Sequence, residues 1–312
     1  MASHMRNTPS RRPILPIGIA VGVVCVAIAA FFGIRALLTN DARPSSSDQA
    51  PVVTATDESQ PTNDTAATEE NSTDTSMDTQ DDPRNAEFAV DPSRTDWNYE
   101  TGDTKMVYLT FDDGPSENTQ QVLDILDQYG IKATFFVTGI NPEYFPMIRE
   151  CYQRGHTIGL HTYSHDYEQV YASTDAYWAD LAQIGEAVQE QIGYVPCFIR
   201  FPGGSSNTIS ANYTLGIMSE LATDVVDAGY QYYDWDASCG DGADHTADEL
   251  VEATKADTAY GYQTIVFLAH DGAGKASTVE ALPRIIEYFQ SEGYSFAPLD
   301  RQTPAPHHGI GN

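Results

Sequence analysis

Two adjacent carboxylates, Asp112 and Asp113, end the apolar run Val107-Tyr108-Leu109-Thr110-Phe111 and lead into Gly114-Pro115. Successive residues of an extended strand point to opposite faces, so such a pair offers one carboxylate to hold a cation and one to move a proton. Taken alone, Asp-Asp-Gly-Pro also reads as a solvated strand-to-helix turn, where Asp and Gly serve turn chemistry. Downstream, His161-Thr162-Tyr163-Ser164-His165 sets two imidazoles four residues apart, a spacing that one helical turn or tight loop brings to a single metal. The loop continues Asp166-Tyr167 and is poor in apolar residues, which argues against two core histidines. Asp113, His161 and His165 would then form a two-His, one-carboxylate site with an open position for water.

Phe198-Ile199-Arg200-Phe201-Pro202-Gly203-Gly204 carries an arginine at the end of a buried-looking strand, where it needs an acidic partner, followed by bare backbone N–H groups. Ile265-Val266-Phe267-Leu268-Ala269 delivers His270-Asp271-Gly272, and a histidine ahead of a glycine turn is a candidate acid. Between them lies Trp235-Asp236-Ala237-Ser238-Cys239-Gly240-Asp241-Gly242.

The secondary structure around these residues is legible in the hydrophobic pattern. Strands are predicted at 107–111, 134–137, 157–160, 198–201, 232–236, 264–269 and 295–299. Helices are predicted near 118–129, 143–154, 175–191, 213–228, 246–257 and 277–291. Gly130, Gly155, Gly193, Gly229 and Gly293 follow helical runs where a left-handed cap is expected. The alternation reads as one α/β domain over 104–302, a distorted (β/α)7 barrel, with an open doubly wound sheet compatible with the same pattern. Asp112, Asp113, His161, His165, Arg200, Asp241 and His270 all follow strand C-termini, which in a parallel barrel share one face. Scattered structural residues have no reason to share that register.

The chain before the domain has a different character. Met1–His4 reads as a tag remnant, and residues 1–12 as a basic cytoplasmic end. From Ile17 to Ile34 no charge occurs, and counting from Pro13 gives 22 residues, about 33 Å as a helix. This predicts a transmembrane anchor over 13–38; a cleaved signal peptide fits less well, because Ala27-Ile28-Ala29 lies inside the apolar core rather than after it. Residues 39–103, rich in Ser, Thr, Asp, Glu and Pro, predict a disordered linker with a reach of roughly 45 Å. Residues 303–312 are expected to be a flexible tail.

From residue 104 onward there are nine basic and twenty-nine acidic residues, a balance that repels nucleic acid and favours a neutral or cationic ligand. Of the four cysteines, Cys25 falls in the anchor and Cys151, Cys197 and Cys239 in the domain. Cys151 and Cys197 are placed either to pair or to remain two buried thiols, and no spacing resembles a zinc knuckle.

With these motifs in order, residues 106–299 resemble the polysaccharide deacetylases with a NodB homology domain, carbohydrate esterase family 4. Thr110–Pro115 is similar to the family's first motif, which implies that Asp112 is the general base and Asp113 a metal ligand. His161 and His165 match the metal histidines of the second motif. Arg200–Gly204 is similar to the third, implying that Arg200 braces the base and the Gly203 amide binds the oxyanion. Leu268-Ala269-His270 resembles the last, with Leu268 lining the acetyl pocket and His270 as catalytic acid. The fourth motif departs: Asp241 takes the place of its aspartate, but Gly242 stands where the family has tryptophan and Ser238 where it has an earlier aspartate. Tyr163, Tyr167, Trp178, Tyr233 and Trp235 are candidates to fill that wall.

The resemblance implies one divalent metal, zinc first, with cobalt, nickel or manganese as alternatives. It implies hydrolysis of N-acetyl groups on an extracellular glycan. With the anchor and linker, it points to N-acetylglucosamine or N-acetylmuramic acid in peptidoglycan. Chitin oligomers, poly-N-acetylglucosamine or acetylated xylan come second. Other readings are a small-amide hydrolase and a non-catalytic glycan-binding or scaffold domain. A single-pass membrane protein with an external, monomeric catalytic domain is expected.

Overall fold

Strand β1, Met106–Asp112, is the axis of the sheet. Its Val107, Leu109 and Phe111 are buried, each contributing about 1.5–3 kcal/mol on leaving water. A computed structural model describes residues 82–312. The predicted cytoplasmic end, the anchor at 13–38 and the linker up to residue 81 lie outside the described residues. Among the described residues no helix is long and apolar enough to cross a membrane.

After β1 the chain runs α2 (Thr119–Tyr129), β2 (Thr134–Val137), α3 (Pro146–Gln153), β3 (Thr157–Leu160), α4 (Tyr167–Val170) and α5 (Thr174–Ile192). It continues through β4 (Phe198–Ile199), α6 (Ile217–Asp227), β5 (Gln231–Tyr232), β6 (Ala237–Ser238), α7 (Ala247–Asp257), β7 (Thr264–His270), α8 (Ala276–Ser291) and β8 (Ser295–Phe296). Ahead of β1 lies α1, Pro83–Phe88. The longer helices form where the sequence places apolar residues three and four apart. In α5, Tyr177, Leu181, Ile184, Val188 and Ile192 face the core, Ser173 caps the first turn, and Gly193 ends the helix at φ 91°.

Every strand pair is parallel, in the order β5-β4-β3-β2-β1-β7-β6, with β8 beside the start of β1. The helices pack on one another as α6-α5-α3-α2-α8-α7, the order of their strands. A doubly wound sheet would split them between two faces; one continuous layer instead makes this a curled half-barrel. Among the described residues β5 and β6 share no ladder, so the barrel stays open between them.

The predicted strand 232–236 is instead the end of one two-residue strand, Gln231–Tyr232, and an irregular segment that leads to a second, Ala237–Ser238. The carbonyls of Tyr233 and Asp234 accept from Arg200 Nε (2.8 Å) and Nη2 (3.0 Å) and are unavailable to a ladder. Arg200 also ends β4 sooner than the predicted 201.

Two expectations of disorder are corrected. Residues 82–103 are not a free linker: Phe88 and Trp97 are buried in the core, and Ala89 bridges Pro196. Residues 303–312 are not a free tail: His307 stacks on Tyr232 at 3.8 Å, and Asn312 takes the Ser219 amide on its carbonyl at 3.0 Å. The open barrel supplies the reason. Its interior needs cover, and these segments meet across the gap, Ala305 donating to Asn98 O (3.1 Å) and Tyr99 Oη to Gln231 (3.0 Å). Cys151, Cys197 and Cys239 are all free, buried thiols, and burial pushes Cys197 up to about 12.

Candidate active site

The parallel register brings the strand ends to one level. Asp112 of β1 is the ladder partner of Phe136 on one side and His270 on the other, while Leu160 of β3 pairs with Ile199 of β4. The residues just beyond these ends therefore converge on one cavity of about 240 Å³, lined by Asp112, Asp113, His161, His165, Gly203, Leu268 and His270 among others.

Asp112 is 2% exposed, and Arg200 Nη1 donates to its Oδ1 at 2.8 Å. Burial raises the Asp112 carboxyl above its ordinary value, opposed by Arg200 and His270. Arg200 is itself buried and also donates to Thr110 Oγ1 at 2.7 Å, with its guanidinium over the Phe136 ring at 4.3 Å. Its charge thus meets a carboxylate, and four of its five N–H groups have acceptors, as a buried arginine needs.

His161 Nε2 lies 3.6 Å from a carboxylate oxygen of both Asp112 and Asp113, and the backbone of Asp113 is left-handed, φ 68°. Thr162 (φ 68°) and His165 (φ 52°) share that conformation, and among the described residues no other non-glycine does. Strained backbone confined to the loops that carry these candidate donors is the mark of a built site. Asp113 Oδ1 lies 3.6 Å from His161 Nε2 and 3.4 Å from His165 Nε2. This oxygen is buried with no hydrogen-bond partner. His161 Nδ1 is 2.8 Å from the Arg200 carbonyl, which places the proton on Nδ1 and leaves the Nε2 lone pair facing Asp113. Burial, reinforced by His165, lowers His161 to about 3, so it is neutral, as a ligand must be. An orphaned carboxylate oxygen facing two imidazole nitrogens, the three donors within 4.8 Å of one another, fits a divalent cation.

The histidine loop is tied down by Asp180 of α5. Its carboxylate accepts from the amides of Tyr163 (2.5 Å) and Ser164 (3.2 Å) and from Ser164 Oγ (2.6 Å). Sequence reasoning missed Asp180; a lone polar residue at the core-facing edge of an amphipathic helix was its only signal.

Opposite, His270 Nδ1 meets Asp241 Oδ1 at 2.8 Å, while Asp241 Oδ2 accepts from the His270 amide and Thr278 Oγ1, both at 2.8 Å. Burial pulls His270 down, but the Asp241 hydrogen bond and charge outweigh it, with help from Asp112 and Asp113, and raise it to about 9. Asp241 is buried, which raises it, yet its bonds to His270 and Thr278 leave it below the ordinary carboxylate range.

Gly203 and Gly204 lie at φ 77° and 76°, and a Cβ on Gly203 would come within 2.5 Å of Tyr167 Oη. Only glycine fits this close approach. Of the five aromatic candidates for the thinned wall, Tyr167 and Trp235 line the cavity. The others do not: Tyr233 is buried with its hydroxyl on the Asp300 and Thr303 carbonyls, Trp178 packs on Tyr177 and Tyr230, and Tyr163 lies against Gly139. Lys275, which sequence reasoning also passed over, lines the cavity beside Gly242.

Comparison with known proteins agrees with this geometry. Residues 99–221 match the family model described as polysaccharide deacetylase. The catalytic domain of peptidoglycan N-acetylglucosamine deacetylase from Eubacterium rectale is similar in structure, with TM-score 0.66 and 42% identity, covering 71% of this chain and all of that one. A peptidoglycan-N-acetylglucosamine deacetylase of Bacillus cereus is 30% identical over 210 residues, 65% of this chain and 72% of the relative. A bifunctional xylanase/deacetylase of Pseudobutyrivibrio xylanivorans is 32% identical over 203 residues, 64% of this chain but only 30% of that longer protein. With its curled parallel half-barrel and its strand-end carboxylates and histidines, the chain belongs to the polysaccharide deacetylase family, the NodB-type hydrolases of carbohydrate esterase family 4.

Proposed function

We propose that this protein removes acetyl groups from N-acetylglucosamine residues of peptidoglycan, releasing acetate and a free amine. The observation that carries this reading is the pairing of Asp112 and His270 across β1 and β7, with the Asp113, His161 and His165 donors on the same cavity. A base and an acid face one reacting centre from two sides.

Asp113, His161 and His165 would hold one divalent ion, zinc first, with cobalt, nickel and manganese suiting the same donors. When bound, the ion supplies Lewis acidity, favouring ionisation of water and polarising the acetamide carbonyl. Asp112 takes the proton of the attacking water, and Arg200 holds its carboxylate in place through Oδ1. The Gly203 amide donates to the developing oxyanion, and Leu268 packs on the acetyl methyl. His270, kept protonated by Asp241, gives its proton to the departing amine. Asp112 and His270 thus begin in opposite protonation states.

The peptidoglycan assignment draws on the Eubacterium rectale and Bacillus cereus relatives and on the anchor and linker read from the sequence. The anchor and linker support a catalytic domain held outside the cell on a single-pass, cytoplasm-tethered chain. Similarity to the bifunctional xylanase/deacetylase favours acetylated xylan as a second substrate class, cleaved by the same groups. Acetate release from purified peptidoglycan, chitin oligomers and acetylxylan by the full chain tests the reading, with and without chelator. Release from peptidoglycan that stops with chelation and returns with zinc supports it. Turnover on xylan alone moves the substrate. Glycan binding without release makes the domain a non-catalytic binder.

A further inference from the structure

Among the charged residues lining the cavity, Lys275 alone has no part in the reaction proposed above. Its ammonium donates to the backbone carbonyl of Asp241, and among the described residues it makes no ion pair. Most cations of this domain differ. Lys132, Arg154, Arg200, Lys255, Arg284 and Arg301 each meet a carboxylate, as expected where acidic residues outnumber basic ones twenty-nine to nine. Glu117, on the neighbouring loop, accepts from the Gly274 amide at 3.3 Å instead. Beside Lys275 the wall is low, since a Cβ on Gly242 would meet nothing within 4 Å. A half-buried cation that makes no ion pair among the described residues therefore borders the cavity that His270 also lines.

We propose that Lys275 marks a subsite for a carboxylate borne by the glycan, on the acetamido sugar itself or on its neighbour. The enzyme would then select acidic acetylated glycans over neutral ones. The proposal rests on the deacetylase reading and names the substrate class within it. An ammonium engaged with only one neutral carbonyl keeps donors for a charge-assisted bond to a carboxylate. Such a local contact also answers a problem set by the surface. The acidic domain repels anionic polymers, but at physiological ionic strength that repulsion fades over roughly 8 Å, so a cation at contact distance outweighs it.

The test compares kcat/KM of the full chain on a neutral N-acetylglucosamine oligomer and on a matched oligomer with lactyl carboxylates on alternate sugars. Lys275→Gln is expected to lower the acidic-to-neutral ratio about five- to tenfold, through KM, as loss of a charge-assisted contact does. Lys275→Arg should keep most of the preference, and amidation of the lactyl groups should reproduce the loss with the unaltered enzyme. An equal loss on both glycans would make Lys275 a prop for the Asp241 loop and overturn the subsite, as would an unchanged ratio. An unaltered enzyme inert on both would overturn the deacetylase reading, and the subsite with it.

Discussion

Asp112 and His270 are register partners in the β1/β7 ladder, and the next amide, that of Asp271, donates back to the Asp112 carbonyl at 3.1 Å. The ladder fixes the separation of their Cα atoms, and Arg200 and Asp241 hold the carboxylate and the imidazole that extend from it.

Asp112→Asn should therefore separate proton transfer from architecture. The amide keeps the size of the carboxylate and an oxygen for Arg200, but cannot take a proton. Acetate release is expected to fall by about 10²–10⁴-fold, while one equivalent of divalent metal still binds in a chelator-competition titration. Undiminished turnover would remove Asp112 as the base.

The alkaline limb of the rate profile is expected to report His270. Its imidazolium persists through neutral pH and is lost as pH rises through about 9, so kcat/KM should fall with an inflection near that value. Asp241→Asn removes the charge that holds the proton and leaves burial to dominate. The inflection should then drop below the ordinary imidazole value, a shift of more than about two units. If the limb does not move, another group carries it.

Asp180 acts at one remove, through the loop of His161 and His165. Asp180→Ala frees two amides and a hydroxyl and lets the imidazoles reorient. Metal affinity should weaken about 10- to 100-fold, measured by chelator competition, with far-ultraviolet circular dichroism unchanged. Excess metal should restore much of the activity. Unaltered affinity would confine Asp180 to a stability role.

The last residues clamp the loop that follows Gly203. Asp234 accepts from the Ser205 amide and the His308 amide, both at 2.7 Å, so the tail and the segment after Gly203 share one carboxylate. His308 Nε2 also meets the Trp235 carbonyl at 2.7 Å. Removing residues 307–312 should cut kcat about 10- to 100-fold through misplacement of the Gly203 loop and lower the thermal midpoint. Metal affinity should stay unchanged. Full kcat in the truncated chain would show that the loop holds itself.

Much of the site is legible in the chain because its residues sit where local patterns end. An apolar strand must stop at the edge of the sheet, and the segments beyond those stops, Asp112–Gly114, His161–His165, Arg200–Gly204 and His270–Gly272, are short and polar or glycine-marked. Parallel topology then sends every such end to one side, so hydrophobic period and turn residues place these carboxylates and histidines on a common face, while their separate roles were read from the family resemblance. The same local rules misread 82–103 and 303–312, whose polar composition imitates disorder.

Tertiary structure decided what depends on contacts between distant residues. Whether the sheet closes is set by the fit of β5 against β6, which neither strand encodes alone, and the open gap made Trp97 and the C-terminal residues part of the core. Cys151 and Cys197 stay apart as thiols. Asp180, Asp234 and Lys275 acquire their places because α5, the turn after β5 and the start of α8 pack beside loops far away in sequence. Residue type and spacing determined which polar groups gather at the strand ends; packing determined which groups hold them still, because a positioning contact is defined by a neighbour and leaves no period in the chain.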